Sequence, residues 1–208
     1  MRSHTTSDLP GRCRRCWVRT EFCVCADIPQ VATATRVLVV RHERESFKST
    51  GTARIAGLAL SNSAIIDVGE GTAEADATLR PQLRGACLLF PGEGTAPWPS
   101  TPPSQLVVLD GTWRQTRRMF AKLPSLHALP RLQLPTKPEP VLRLRESTFA
   151  EGRSTLEAIA DALALLEGPD IAEPLHRLHA KYVEQVFRAR GVWALKNPAA
   201  GFVPEPQG

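Results

Sequence analysis

Short apolar runs alternate with helical segments along most of this chain, and this alternation is the strongest constraint on its fold. Buried strands are predicted at residues 36–40, 64–68, 86–90 and 105–109, where aliphatic and β-branched residues are consecutive. Helices are predicted at residues 50–62, 112–123, 154–166 and 171–190, and short extended pieces near 132–134 and 141–144. Strands that alternate with helices form a mainly parallel sheet, so the sequence predicts an α/β domain with helices flanking the sheet.

The length, the charge and the apolar content of the chain predict a single-domain protein without a membrane span. Its 208 residues fit one domain, and a net charge of +5 permits an acidic partner without requiring one. No apolar run approaches the roughly 18–20 residues of a membrane span, and the polar N-terminus lacks the apolar core of a signal peptide. We therefore expect a cytoplasmic protein with no membrane partner, whose cysteines bind metal or act in catalysis rather than form disulfides. Nothing in the sequence indicates an oligomeric state.

Four cysteines near the N-terminus have the spacing of a metal site. Cys13 and Cys16 form one close pair, and Cys23 and Cys25 form a second pair six residues later. Two such pairs supply the four sulfurs of a structural zinc site, and metal binding would fold a segment that is too small to fold alone. The alternative is a redox pair, although the strand and helix that normally flank one are not visible here. The fifth cysteine, Cys87, lies in a predicted strand, where a small buried hydrophobic residue is expected.

A polar turn follows the predicted strand 105–109. It contains Asp110, Gly111, Thr112 and Trp113, and it leads directly into a basic helix. Ligands of open α/β sheets bind at the carboxyl ends of the strands, which makes this turn a candidate site. The alternative is an ordinary helix N-cap, because an Asp or Thr in this position satisfies free backbone N–H groups at many sites without function.

Basic residues are concentrated after this turn. Residues 114–145 contain eight Lys and Arg against one acid. Helical spacing allows Arg114, either Arg117 or Arg118, and Lys122 to form one row, which is suited to phosphates. The row is alternatively a solvated helix face. A second basic group, which includes Arg14 and Arg15, lies among the cysteines.

The order of these motifs resembles the DTW-domain proteins, a family of tRNA-uridine aminocarboxypropyltransferases related to the SPOUT enzymes. The resemblance extends from residue 13 to about 190. It rests on four motifs in this order: the two cysteine pairs, His42-x-x-Glu45 with a following Thr50-Gly51, Asp110-x-Thr112-Trp113, and a helix that starts at Ser154-Thr155-Leu156-Glu157. The family pattern has proline after the histidine, where this chain has Glu43.

The resemblance implies a fold and an activity. The fold would be a SPOUT-like α/β domain, with a trefoil knot as a possible feature and a small N-terminal Cys₄ zinc knuckle. The activity would be transfer of the 3-amino-3-carboxypropyl group of S-adenosylmethionine to N3 of a tRNA uridine, with release of methylthioadenosine. By residue number, the resemblance places the reaction at Asp110, Thr112 and Trp113. The predicted donor pocket comprises these three with Phe90, Pro91, Gly92, Gly111, Leu142, Ser154 and Thr155.

Roles within this site follow from its chemistry. Asp110 is the candidate general base, or a residue that orients the base, and Trp113 would stack on the adenine or on the target base. A target base has to be unstacked, so we expect a loop uridine as substrate. The two basic groups would bind tRNA. His42 is a weaker candidate for function, and His127, His176 and His179 are expected at the surface.

Two other functions fit the same sequence: a SPOUT-type methyltransferase with the same cofactor, and a zinc-ribbon RNA-binding protein without catalysis. The predicted organisation is a disordered tail at residues 1–11, a zinc-binding segment at 12–30, the catalytic domain at 31–196 and a C-terminal tail at 197–208.

Overall fold

The computed structural model is an α/β fold built on one parallel sheet, and it describes residues 10–69, 73–92, 94–136, 144 and 152–193. The sheet has five strands in the order β2-β1-β4-β3-β5, and all four strand pairs are parallel. The strands are β1 (Arg36–His42), β2 (Ser63–Val68), β3 (Ala86–Leu89), β4 (Gln105–Asp110) and β5 (Arg131–Leu132).

Helices follow four of these strands. They are α1 (Thr52–Ala59), α2 (Ala73–Leu79), α3 (Trp113–Lys122), α4 (Pro124–His127), α5 (Thr155–Glu167) and α6 (Pro169–Ala189). Within the described residues, none of them combines the length and the apolar character that a bilayer crossing requires.

The sheet is buried on both faces, as its consecutive apolar residues predict. On one face, Val39 of β1 and Leu106 and Val108 of β4 share a core with α1, α5 and α6. On the other face, Leu38 and Val107 share a second core with α2, α3 and α4. Alternate residues of one strand therefore enter different helical layers.

The cysteine segment packs on the layer of α1, α5 and α6. Cys16, Val18 and Val24 are buried in the same core as these helices. Two short 3₁₀ turns, Thr20–Phe22 and Cys25–Asp27, carry the chain through the segment, and Val31 pairs with Leu60 beyond it. The segment is thus attached to the domain through apolar packing.

The sequence predicts every strand and the four long helices, and it misses two short ones. Both α2 and α4 are absent from the prediction, and α1 is shorter than the predicted 50–62. The extended piece near 132–134 appears as β5. The piece near 141–144 lies outside the described residues except for residue 144, and so do residues 1–9 of the predicted N-terminal tail and the whole predicted C-terminal tail, 197–208.

Candidate active site and cysteine cluster

Three charged side chains form a row across the carboxyl edge of the sheet. In the strand register, Arg41 of β1 is the neighbour of Asp67 of β2 on one side and of Asp110 of β4 on the other. Register partners in a parallel sheet point to the same face, which here is the face of α1, α5 and α6. Arg41 binds both oxygens of Asp67, at 2.6 and 3.0 Å.

Asp110 is tied to the start of α5. Its side chain is 7% exposed, and its Oδ1 accepts a hydrogen bond from the Thr155 hydroxyl. The preceding residue, Ser154, is the N-cap of α5 and forms a capping box with Glu157. The backbone N–H of Leu156 reaches Thr52 at the start of α1 (N–O 3.3 Å), so the first turns of both helices meet beside Asp110.

Arg54 of α1 adds a second cation to this edge. Its guanidinium donates to the carbonyl of Ser46 at 2.9 Å. Burial is the main cause that lowers the pKa of Arg54 to about 10, and the charge of Arg41 lowers it further, while Asp110 is among the groups that raise it. The guanidinium therefore stays charged at neutral pH and stabilises the Asp110 carboxylate.

The cysteine segment reaches this edge through Trp17. The Arg54 guanidinium carbon lies 3.0 Å from the centroid of the Trp17 ring, a cation–π contact. Trp17 has a φ of 64°, the only positive φ of a non-glycine residue in the described part of the chain. This conformation is unusual for a bulky side chain, and a hydrogen bond from Arg12 to the Trp17 carbonyl (2.9 Å) stabilises it.

The Asp-Gly-Thr-Trp turn distributes its side chains over both layers. Thr112 is the N-cap of α3, as the alternative interpretation of this turn allows, and forms a capping box with Gln115. Trp113 stacks on Phe90, with ring centroids 5.6 Å apart and an interplanar angle of 19°, and packs against the core of α2, α3 and α4. Asp110 and Trp113 therefore contact different layers, and the indole already has a stacking partner within the protein.

The loops after β3 and β4 lie side by side, because these strands are neighbours in the sheet. Phe90 is buried after β3, and the Gly92 N–H donates to the Gln133 side chain at 3.2 Å. The structure thus brings the following predicted donor-pocket residues to one edge of the sheet: Phe90, Pro91, Gly92, Asp110, Gly111, Thr112, Trp113, Ser154 and Thr155. The remaining one, Leu142, lies outside the described residues.

The four N-terminal cysteines form a compact cluster. All four Sγ atoms of Cys13, Cys16, Cys23 and Cys25 lie within 4.8 Å of one another, with 3.5 Å between Cys13 and Cys25 and 3.7 Å between Cys16 and Cys23. These distances exceed the ~2.05 Å of a disulfide. They fit the spacing of about 3.8 Å between sulfurs around a tetrahedral zinc with Zn–S bonds near 2.3 Å.

The pKa values of the Cys13 and Cys16 thiols in the cluster are shifted in opposite directions. Burial opposes ionisation of Cys13, but hydrogen bonds from the backbone at Cys16 and Arg15 and from neighbouring thiols lower its pKa to about 6. Burial raises the pKa of Cys16. A divalent cation would favour the thiolate form of all four ligands, so the residues fit structural zinc.

The two predicted basic groups are exposed and belong to different layers. The α3 group comprises Arg114, Arg117, Arg118 and Lys122, and the cysteine-segment group comprises Arg14 and Arg15. The first group lies on the α2–α3–α4 layer and the second on the α1–α5–α6 layer. They flank the sheet rather than form one flat patch.

The prediction for the histidines needs one correction. His179 is not at the surface: it is 8% exposed on the buried face of α6, and its Nε2 lies 2.9 Å from Ser154 Oγ. His127 is exposed as predicted. His42 is buried at the end of β1, where its Nδ1 accepts from the Arg44 N–H at 3.2 Å, an N-capping contact.

Sequence reasoning missed three charged residues of the edge, namely Arg41, Asp67 and Arg54. The first two carry a usable signal, because each directly follows a run of apolar residues in a predicted strand and parallel strands end at one edge. Arg54 carries none, since a single arginine in a helix is usually solvated.

Comparison with known proteins assigns the family. Residues 11–187 match the DTW domain family. A protein named tRNA-uridine aminocarboxypropyltransferase 2 from Drosophila melanogaster is 28% identical over 192 residues, which cover 83% of this chain and 76% of that protein. Proteins of the same name from Macaca fascicularis and Mus musculus are 27% and 28% identical, over 74% of this chain and 56% of their own length. No solved structure matches the chain significantly. The family match covers most of the chain, which therefore belongs to the DTW domain family.

Proposed function

We propose that this protein is a tRNA-uridine aminocarboxypropyltransferase. It takes the 3-amino-3-carboxypropyl group from S-adenosylmethionine, attaches it to N3 of a tRNA uridine and releases methylthioadenosine. The observation that carries the proposal is the charged row at the carboxyl edge of the sheet, where Asp110 of the family motif meets the starts of α1 and α5. The names of the relatives agree with this activity.

The reaction is a displacement at a sulfonium. Uridine N3 attacks the aminocarboxypropyl carbon bonded to sulfur, the N–C bond forms, and the C–S bond breaks. The electron pair of that bond stays on sulfur as a neutral thioether, and the N3 proton passes to a base or to water. All three carbons on the sulfonium are activated, so the site selects one by orientation, and positioning is the main task of the protein.

Asp110 is best suited to orient the reacting groups. Its carboxylate accepts the Thr155 hydroxyl and thereby holds the first turn of α5 in place. Its charge also interacts with the guanidinium of Arg54 in the first turn of α1. Direct action of Asp110 as general base is the alternative role.

The donor would bind over the loops after β3 and β4, against the start of α5. Phe90, the Gly92 backbone and Ser154 line this edge. Zinc in the cysteine cluster would neutralise the thiolates and fix the segment that presents Trp17 to Arg54. With four sulfur ligands the metal has no open position for a reactant, so its contribution is structural.

The fold supports the proposal at a coarser level. A parallel sheet with helices on both faces is the framework on which a SPOUT-like domain is built, and the exposed arginines of α3 and of the cysteine segment suit a polyanionic partner. We further propose that the protein acts in the cytoplasm.

Product analysis tests the proposal. Purified protein is incubated with S-adenosylmethionine and unmodified tRNA, and the nucleosides and the spent donor are identified by mass spectrometry. Methylthioadenosine and a 3-amino-3-carboxypropyl uridine are expected. Adenosylhomocysteine with a methylated nucleoside would instead indicate an RNA methyltransferase, and RNA binding without either product would indicate a non-catalytic module.

Substitution of Asp110 refines the same experiment. Asp110→Ala removes both the Thr155 contact and the charge near Arg54, so we expect transfer to fall at least ~10²-fold, the scale of losing a well-placed polar group. The affinity for tRNA should change little, because the residue is buried. Asp110→Asn keeps an acceptor for Thr155 and should retain more activity than Asp110→Ala. Full activity of Asp110→Ala would remove the aspartate from the mechanism.

A further inference from the structure

We propose that Phe47 is a stacking residue for an unstacked nucleobase of the RNA substrate. The inference rests on the proposed function, which makes RNA the substrate, and adds a contact that neither the family motif nor the basic groups contain. Phe47 lies in the segment 43–51 between β1 and α1, next to the charged row.

Phe47 is conspicuous for its exposure. Among the described residues, the exposed large hydrophobic side chains are Phe47 at 48% and Leu165 at 47%. Leu165 lies on α5 in a regular helix, whereas Phe47 is on the loop that adjoins the candidate active site. A half-exposed aromatic ring offers a flat surface on which any base can stack.

The loop that carries Phe47 is anchored by the residues before and after it. The residue before it, Ser46, accepts a hydrogen bond at its carbonyl from Arg54 (2.9 Å). The residue after it, Lys48, pairs with the buried carboxylate of Glu45 (2.5 Å). Further along, the Tyr182 hydroxyl donates to the carbonyl of Ser49 (2.8 Å). A loop whose backbone is held in this way loses little conformational entropy on binding, which favours the use of Phe47 as a contact.

The same anchors place Phe47 at the reacting edge. Arg54, which binds the Ser46 carbonyl, also interacts with the charge of Asp110. The segment continues into Thr52, whose hydroxyl accepts from the start of α5, one residue from the Thr155 that binds Asp110. The backbone at Phe47 is therefore linked to the proposed reaction site, and we infer that a base on this ring belongs to a nucleotide close to the one that reacts.

The charges around Phe47 favour stacking over a phosphate contact. Residues 43–48 contain two acids, Glu43 and Glu45, and two bases, Arg44 and Lys48, so this segment has no net charge. The phosphate-binding charge lies next to it on the cysteine segment, where Trp17 contacts Arg54 and the exposed Arg14 and Arg15 precede it. An exposed ring next to a cationic surface is the usual arrangement of single-strand RNA sites.

The test measures tRNA affinity of the full chain at several salt concentrations. Phe47→Leu keeps apolar bulk and removes the aromatic face, and we expect it to weaken binding by roughly 5- to 150-fold, the range for loss of one base stack. The slope of log K against log salt should not change, because no phosphate contact is lost. Phe47→Trp should retain the affinity. Leu165→Ala, which alters the other exposed hydrophobic residue, is the matched control and should bind like the original protein.

Each contrary outcome identifies a different error. Unchanged affinity of Phe47→Leu overturns the stacking role, and so does a loss of affinity accompanied by a flatter salt slope. A shift of the sedimentation coefficient in Phe47→Leu would mean that a second copy of the chain covers the ring instead. Phe47-dependent RNA binding without methylthioadenosine formation would refute the proposed function and leave the stacking contact supported.

Discussion

At the scale of single residues, the hydrogen-bond partners of two buried acids, Asp110 and Asp76, indicate which of them belongs to the candidate site and which has a structural role. Asp110 lies at the end of a strand, with a hydroxyl of another helix on its Oδ1, and its charge interacts with the half-buried Arg54. Asp76 lies within α2 and is 4% exposed, and its partners are Ser125, through both N–H (2.9 Å) and hydroxyl (2.6 Å), and Arg80 (3.0 Å). The first arrangement lies at a site edge, whereas the second ties α4 to α2.

The Asp76 contacts predict a pH-dependent stability. Burial opposes its ionisation, but the hydrogen bonds from Ser125 and the charge of Arg80 outweigh burial and lower the pKa of Asp76. A lowered pKa contributes stability above the unfolded value of about 3.9, and that contribution is lost as the pH falls through the folded value. Asp76→Asn should therefore lower the free energy of unfolding at pH 7 by about 1–3 kcal/mol, and the difference from the original protein should shrink below pH ~4.

Urea unfolding between pH 7 and pH 3 measures this difference. Glu74→Gln is the control, since Glu74 is an exposed acid on the same helix and its removal should have little effect at any pH. A constant difference between Asp76→Asn and the original protein over the whole range would show that the carboxylate charge is not what stabilises the α2–α4 contact.

At the scale of elements, the hydrophobic pattern of the sequence predicted the strands and missed two short helices and the position of one side chain. The strands were identifiable because both faces are buried, which produces runs such as residues 105–109. α4 was missed because Pro124 signals the end of α3, whereas Pro124 also starts the next helix. α2 was missed because seven residues with two acids and three alanines show no apolar stripe. Thr112 was identifiable as a cap, but the position of Arg54 over the sheet edge is a tertiary result that no local pattern encodes.

The cysteine segment is the element whose stability should depend most on an ion. We expect about one zinc per chain by elemental analysis, because the four sulfurs are already at zinc-binding distances. Cys13→Ser with Cys16→Ser should abolish the metal, and a chelator should lower the melting temperature of the original protein, since metal binding contributes to folding.

Cys87→Ser provides the thiol control for that experiment. Cys87 lies in β3, outside the cluster, so its substitution should leave the metal content unchanged. A folded protein that contains no metal and has all four cysteines intact would refute the zinc assignment.

At the scale of the whole molecule, the candidate site residues and the two basic groups are distributed over both faces of the sheet. The Asp110 side chain faces the layer of α1, α5 and α6, whereas Trp113 and the α3 arginines belong to the opposite layer. The cysteine segment with Arg14 and Arg15 packs on the first layer. The sheet therefore lies between the two basic groups, and the proposed reaction site is at its carboxyl edge.

This division predicts that the two basic groups contribute independently to RNA binding. Arg117→Glu with Arg118→Glu should weaken tRNA binding and flatten its salt dependence, and Arg14→Glu with Arg15→Glu should do the same. If each pair contacts two phosphates, each should reduce the slope of log K against log salt by ~1.4–1.8, and the quadruple variant should show about the sum. Additivity is expected because the groups lie in separate layers and share no partner among the described residues. Charge reversal at both Arg177 and Arg188, exposed residues of α6 paired with Glu173 and Glu184, changes the net charge by the same amount and is the control. A pair whose reversal changes the slope no more than this control belongs to a solvated helix face, and the RNA would then be bound from one layer only.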